Sequence, residues 1–173
     1  MENTEKAILG GGCFWCLEAV YQLVDGVTEI KSGYTGGSNP NPTYEEVCSG
    51  MTGHAEVVEV TYETSKLSYK DILSIFFDIH DPTTLNRQGN DTGSQYRSVI
   101  YYLDDSQKTI ANEMVASIAH KWKDPIVTEI TKLNDFFEAE AYHQDYYRRN
   151  PGSSYCFFVV RPKVEKFLKK ISK

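Results

Sequence analysis

The densest chemistry in the chain lies in one run, Gly10-Gly11-Gly12-Cys13-Phe14-Trp15-Cys16. The apolar residues Ala7, Ile8 and Leu9 lead into it, and an amphipathic stretch (Leu17, Ala19, Val20, Leu23, Val24) leads out. That pattern predicts a strand, a glycine turn and a helix beginning at Cys13. A thiol at a helix N-terminus meets free backbone N–H groups and the positive end of the helix dipole. Both favour thiolate over thiol, and the thiolate is the reactive form. Cys13 is therefore a candidate nucleophile, with two aromatic side chains beside it and a second thiol, Cys16, one turn later. The competing reading is a buried structural cysteine, the commonest fate of a free thiol. Cys13-x-x-Cys16 also suggests a redox couple or half of a zinc site. No second pair completes such a site, since His54, His80, His120 and His143 stand singly. No metal is expected.

Glu56 is the candidate acid. Between residues 54 and 62 the alternation puts Glu56 on one face with Val58, Val60 and Tyr62, and Ala55, Val57, Glu59 and Thr61 on the other. The first face is at least as apolar, so Glu56 points inward at the mouth of a strand. A carboxyl against an apolar surface has a raised pKa and serves as a proton donor near neutral pH. An exposed strand-end glutamate is the ordinary alternative. Tyr44, Asp91 and Tyr96 lie in or beside loops, where function concentrates. Their ordinary readings are packing for the tyrosines and a turn or capping role for Asp91. Spacing alone does not bring them together.

The elements that must position these groups follow from caps and periodicity. Strands are predicted over residues 6–9, 27–34, 54–62, 97–103 and 125–130, and helices over 14–24, 104–122 and 139–149. Thr43 with Glu46 fits a capping box that opens a short helix through Val47 and Cys48. Ser68 with Asp71 caps another, with Ile72, Ile75, Phe76 and Ile79 on its buried face. Residues 81–95 read as a long polar loop. The order strand, helix, strand, strand, helix, strand is the split β-α-β arrangement. The expected fold class is α+β: a two-layer sandwich with a ferredoxin-like β-α-β-β-α-β core and an irregular C-terminal segment. With no repeat and no linker, residues 1–173 read as one domain.

Composition narrows the function classes. A chain of 173 residues, 40% hydrophobic and 24% charged, suits a soluble globular domain with a substantial core. A net charge of −6 argues against general binding to nucleic acid or to an anionic membrane. The basic C-terminal stretch (Arg161, Lys163, Lys166, Lys169, Lys170, Lys173) reads as a solvated helix face rather than a docking tail. No secretory signal and no membrane-length apolar stretch is visible, which points to the cytoplasm. There the four cysteines are expected to be catalytic, redox-active or inert rather than paired in structural disulfides.

Gly12-Cys13-Phe14-Trp15 resembles the signature of class A peptide methionine sulfoxide reductases, which act on the S epimer. Further segments match that family in order: Ser32-Gly33-Tyr34, Asn41-Pro42-Thr43-Tyr44, Thr52-Gly53-His54-Ala55-Glu56, Asp81-Pro82-Thr83, Gln88-Gly89-Asn90-Asp91-Thr92-Gly93, Gln95-Tyr96-Arg97-Ser98 and Tyr142-His143-Gln144-Asp145-Tyr146. The resemblance implies that Cys13 attacks the sulfoxide sulfur and that Glu56 protonates or hydrogen-bonds its oxygen. It implies that Tyr44 and Tyr96 hold that oxygen, and that Asp91 binds the substrate backbone or orients water and Tyr96. Phe14 and Trp15 would enclose the terminal methyl group, and Gly53 and His54 would shape the approach to Glu56. A second thiol would convert the resulting sulfenic acid to a disulfide, recycled by thioredoxin. Free or protein-bound methionine-S-sulfoxide is the implied substrate, with no cofactor, and nothing demands more than a monomer. The resolving thiol stays open among Cys156, Cys16 and Cys48. Many relatives carry glycine at the position of Cys16 and a Gly-Tyr-Cys segment where this chain has Ser154-Tyr155-Cys156. Two other functions fit part of the pattern. A general dithiol oxidoreductase would use Cys13 and Cys16 but not Glu56, Tyr44 or Tyr96. A binding protein would hold sulfoxide-bearing peptides on an aromatic surface without Cys13.

Overall fold

Strands form where β-branched and aromatic residues alternate, and they assemble into one six-stranded sheet. In a computed structural model describing residues 3–172, the strands are β1 (Thr4–Gly10), β2 (Val27–Thr35), β3 (Ala55–Glu63), β4 (Arg87–Gln88), β5 (Asp91–Thr92), β6 (Val99–Tyr102), β7 (Glu129–Lys132) and β8 (Phe137–Glu138). The helices are α1 (Phe14–Tyr21), α2 (Tyr44–Cys48), α3 (Tyr69–Ile79), α4 (Asp105–Ile118), α5 (Tyr146–Arg149) and α6 (Arg161–Ile171). Sheet order is β7-β6-β1-β3-β2-β8, with β4 and β5 forming a separate hairpin. The central strands β6-β1-β3-β2 are antiparallel, and β7 joins β6 in parallel at one edge. This is the strand order of the split β-α-β core expected from the element sequence.

Caps fix the helix starts. Thr43 and Glu46 exchange both hydrogen bonds of a capping box at α2, and Ser68 and Asp71 do so at α3. The Asp104 side chain accepts from the Gln107 N–H to open α4. One sheet face carries Ala7, Leu9, Val58, Val60, Tyr62 and Ile100 into the main core, against Phe14 and Leu17 of α1, Ile72, Leu73 and Phe76 of α3, and Ala111 and Met114 of α4. Each large side chain buried there contributes about 1.5–3 kcal/mol. The other face buries Ile8, Ala55, Val57, Val99 and Tyr101 under Leu133 and Phe136. Among the described residues no helix is long and apolar enough to cross a membrane.

The predicted loop over residues 81–95 contains the β4–β5 hairpin, and three further stretches differ from the sequence expectation. The fifth predicted strand begins late, as β7, because the Val127 N–H donates to the Pro82 carbonyl and ties the preceding residues to a loop instead of the sheet. Residues 139–149 do not form one helix. Ala139 continues the backbone pairing of β8 through its N–H to the Ser32 carbonyl, Ala141–His143 make a single 3₁₀ turn, and only α5 is helical. After α5 the C-terminal segment is irregular from Asn150 through Ser153, then helical. A π-helical turn, Cys156–Val160, runs directly into α6. The run Phe157-Phe158-Val159-Val160 masks the helical period, whose buried residues are Cys156, Val160, Val164 and Phe167.

Polar side chains hold residues 139–150 where backbone pairing stops. Gln144 accepts from the Ser32 N–H and donates to the Ser32 and Ala139 carbonyls, standing in for a strand residue. Glu18 of α1, only 2% exposed, accepts from the N–H groups of Asp145 and Tyr146. Removing that carboxylate leaves two donors unpaired. Glu18→Ala is expected to destabilise the protein by about 2–3 kcal/mol. In amide hydrogen exchange Asp145 and Tyr146 should lose protection first, whereas a uniform loss across the sheet would contradict this local role.

Candidate active site

β1 delivers the chain to the glycine turn, and the turn needs glycine. Gly12 has φ +85°, and its N–H donates to the Tyr96 carbonyl at 3.1 Å. A Cβ on Gly11 would stand 2.8 Å from the His80 ring, and one on Gly12 2.8 Å from the Gln88 side chain. Cys13 then takes the N-cap position of α1 in extended conformation (φ −68°, ψ 132°). β3, paired with both β1 and β2, brings Glu56 opposite Tyr34. There Glu56 is fully buried, and Oε1 accepts from the Phe14 N–H at 3.2 Å. The carboxyl thus closes the open N-terminus of the helix that carries Cys13.

The electrostatics depart from one expectation. A thiolate was expected from the helix N-terminus. Burial instead pushes the Cys13 thiol well up, and the neighbouring charges of Glu56 and Cys16 add to the rise. The Trp15 backbone N–H and the Tyr155 hydroxyl oppose it without prevailing. Desolvation of a side chain only 6% exposed outweighs the helix terminus. Burial also pushes Glu56 up to about 8, helped by Asp91 and opposed by the Phe14 N–H and Cys13. At neutral pH the site therefore holds a thiol beside a protonated carboxyl. Among the described residues no hydrogen-bond partner meets Glu56 Oε2, which leaves that oxygen free to present a proton.

The other predicted groups gather around this pair. Tyr44 opens α2, its N–H held by Glu140 at 2.9 Å, and its ring lies 4.4 Å from that of His143. Tyr96 ends the 3₁₀ turn Ser94–Tyr96, near Glu56, Cys13 and Asp91. Burial, then Cys48 and Glu56 for Tyr44, and burial, then Glu56 for Tyr96, raise both phenols, so both remain O–H donors. Asp91, in the β4–β5 hairpin, accepts the Tyr155 hydroxyl at 2.5 Å. Phe14 is fully buried against Tyr34 and His143. Trp15 stacks on Tyr146 with ring centroids 3.7 Å apart, meets Tyr155 edge-on, and donates its indole N–H to His143 Nδ1 at 3.1 Å.

Two residues sit differently from the rest. His54 Nδ1 accepts from the Gly37 N–H, so Nε2 carries the proton and donates to the Asn39 carbonyl. Gly53, at φ +76°, gives its carbonyl to Arg97. Both fix the loops flanking β3 at the end where Glu56 lies. Of the remaining thiols, Cys16 and Cys156 are buried together on the inner side of α1, whereas Cys48 is exposed at the end of α2. Sequence reasoning did not single out His143, Tyr146 or Tyr155 as wall residues. Their signal was the density of aromatic residues in a polar stretch with no helical or strand period.

A buried thiol and a protonated carboxyl under an aromatic wall are the groups of a thiol-dependent oxidoreductase. A family model described as "Peptide methionine sulfoxide reductase" matches residues 5–173. Peptide methionine sulfoxide reductase MsrA of Saccharolobus solfataricus is 55% identical over 165 residues, covering 95% of this chain and 93% of the relative. The protein of the same name from Nautilia profundicola is 56% identical over 164 residues, covering 95% and 94%. Among solved structures, reduced Mxr1 from Saccharomyces cerevisiae superposes with TM-score 0.84 at 35% identity, covering 88% of this chain and 89% of that one. Mxr1 in complex with Trx2 gives TM-score 0.60 at 26% identity, covering 83% and 84%. The chain belongs to the peptide methionine sulfoxide reductase family. It is an oxidoreductase of that class.

Burial of Glu56 has a stability signature. The folded carboxyl stays protonated up to about 8, whereas the unfolded one titrates near 4.5. Between those values the folded chain binds the extra proton, so stability falls as pH rises through the window. Glu56→Gln keeps an acceptor for the Phe14 N–H and has no charge to bury. It is expected to match the parent protein below 4.5 and to exceed its stability by about 1–3 kcal/mol above 8. Denaturant unfolding across pH measures this, and parallel pH profiles for the two proteins would overturn it.

Proposed function

We propose that the protein reduces methionine-S-sulfoxide, free or in peptides and proteins, and that Cys13, Glu56, Tyr44 and Tyr96 carry the reaction. The observation that carries this reading is the buried Glu56 Oε2, without a partner among the described residues, beside Cys13, and burial that pushes this carboxyl up to about 8 supports it. A sulfoxide oxygen leaves poorly unless protonated, and an acid with a pKa near the working pH supplies that proton best. Cys13 sulfur attacks the substrate sulfur as Glu56 protonates the oxygen. The Glu56 carboxylate left behind is the nearest base for the thiol proton. Oxygen passes to Cys13 as a sulfenic acid, methionine leaves, and Glu56 ends protonated as it began. No step leaves a net charge in the buried site, which suits two groups that are both neutral at rest.

Tyr44 and Tyr96 supply O–H donors to the oxygen while its charge grows. Phe14 and Trp15, backed by Tyr146 and Tyr155, form an apolar wall for the S-methyl group. Donors on one side and a wall on the other favour one arrangement of oxygen, methyl and chain about sulfur, hence one epimer. Asp91, anchored by Tyr155, is positioned to accept a substrate backbone N–H. His54 and Gly53 serve by holding the loops that frame Glu56.

Recycling follows from the thiols. The Cys16 N–H donates to the Cys13 carbonyl at 3.1 Å, so the two residues share one turn. Cys156 is close enough to Cys16 for its charge to raise the Cys16 thiol. The proposed order is condensation of the Cys13 sulfenic acid with the Cys16 thiol, releasing water, then exchange with Cys156 to a Cys16–Cys156 disulfide. Thioredoxin returns both thiols, in keeping with the Mxr1–Trx2 complex among the similar structures. All groups come from one chain, so a monomer suffices, and free thiols in reach of one another suit a reducing cytoplasm.

Single-turnover reduction of the separated epimers tests the reading. Cys13→Ser should yield no methionine, and Glu56→Gln should lower the rate about 10²–10⁴-fold. In Cys156→Ser a single turnover should leave a Cys13–Cys16 disulfide by mass mapping, and Cys48→Ser should recycle normally with thioredoxin. Turnover of the R epimer, or full recycling by Cys16→Ser, would refute the scheme. Because Glu56 must be protonated, kcat/KM should decline as pH rises through about 8. That decline should be absent from the residual activity of Glu56→Gln.

A further inference from the structure

The basic face of α6 is not simply solvated. It borders a cleft of about 790 Å³ behind the glycine turn, on the far side of His80 and Gln88 from Gly11 and Gly12. Trp122 supplies an apolar face over the buried rings of Phe77 and Phe167, Lys163, Lys166 and Lys169 supply positive charge, and Asp81 adds one carboxylate, which the Thr83 N–H and hydroxyl occupy. Lys170 is paired with Asp78 at 2.7 Å, but among the described residues the other three lysines have no carboxylate within ion-pair distance. The polar groups at the base of the cleft are already satisfied. Gln88 bonds both the Asp81 N–H and carbonyl, and His80 bonds the Phe76 carbonyl and the Ser98 hydroxyl. His80 is also uncharged, since burial, with a smaller contribution from Lys163, lowers its pKa to about 4. The ligand that suits this lining brings negative charge to the three lysines and a flat apolar face to Trp122.

We propose that this cleft binds a nucleoside polyphosphate, its ring against the half-buried Trp122 and its phosphate chain along Lys163, Lys166 and Lys169. The volume lies within the range of small-molecule sites. The three lysines occupy successive turns and span ~9 Å of helix axis, which suits several charges linked in one short chain. Lysine binds phosphate as a point charge and tolerates such a flexible partner. In a chain of net charge −6, three unneutralised ammonium groups at one concave site are a local exception that attracts polyanions. The cleft backs onto the glycine turn, and Lys163 also lowers the Cys16 thiol, so the test reads ligand binding rather than turnover and its failure leaves the reductase reading untouched.

ADP is the probe, followed by calorimetry and by quenching of Trp122 fluorescence, with Trp122→Phe to subtract the signal of Trp15. Tripolyphosphate tests charge alone and adenosine tests the ring alone. ADP should bind saturably and lose affinity with rising salt, and each half-ligand should bind at least about ten-fold more weakly. The double variant Lys163→Ala/Lys166→Ala should weaken ADP about ten-fold or more while keeping the parent unfolding midpoint. Unchanged ADP affinity in that variant overturns the proposal. So does tripolyphosphate binding as tightly as ADP, which would mark an adventitious anion patch, or no saturable heat with ADP at about 1 mM.

Discussion

The structure is arranged around a carboxyl placed where a carboxyl is costly. Glu56 has no solvent contact and is held by the hydrogen bond from the Phe14 N–H, with the Cys13 thiol beside it. That bond fastens the centre of the sheet to the first turn of α1, and it needs a very close approach of β1 to β3. A Cβ at Gly10 would stand 2.9 Å from the Glu56 carbonyl and 3.0–3.1 Å from Val99 and Val57. Gly10, Gly11 and Gly12 thus serve three neighbours in turn, the strand beneath, the His80 ring and the Gln88 side chain. The glycine run is a packing requirement of the site as much as a turn.

From that placement the electrostatics follow. Burial raises the carboxyl and the thiol together, so each group's neutral form is favoured and each group's charge would disfavour the other's. A resting thiolate would place a charge beside the Glu56 carboxyl in a site that burial has already desolvated. A resting pair of neutral donors avoids this and keeps the acid loaded. In the proposed reaction the helix terminus and the Tyr155 hydroxyl would act on the developing charge of Cys13 sulfur, because they are fixed before it develops.

Much of this was legible in the sequence, for identifiable reasons. The glycine turn, the two capping boxes and the alternation through Val58, Val60 and Tyr62 are local signals, and each formed as read. The inward direction of Glu56 followed from the same alternation. What escaped depended on distant partners. The degree of Cys13 burial is set by Tyr155 and the C-terminal helix packing over α1, which no local pattern reports. The extended course of residues 137–140 is imposed by pairing with β2, and Asp145 is held at φ +57° while its N–H is bound by Glu18. The apolar run after Cys156 looks like a strand because its helical period emerges only with Val164 and Phe167 included.

The segment between β8 and α6 explains how one site can be both closed and reversible. It carries His143, Tyr146, Tyr155 and Cys156, yet it has little regular structure and is tied down by Glu18, Gln144 and Glu140 through individual side-chain bonds. Such ties are cooperative with the wall they position, since Trp15 bonds His143 and stacks on Tyr146. A wall built this way yields locally without unfolding the sheet, because no strand pairing beyond β8 has to break. The π-helical turn at Cys156 lies at the same boundary, and its hydrogen-bond ring is wider than that of the α-helix it joins. Rewinding that turn would change the direction of the Cys156 side chain while leaving α6 packed through Val164 and Phe167. The fold thus separates a rigid half, the sheet with Cys13 and Glu56, from an irregular half that carries the aromatic wall and Cys156. The proposed oxygen transfer would need the first to stay fixed, and the proposed disulfide exchange would need the second to move.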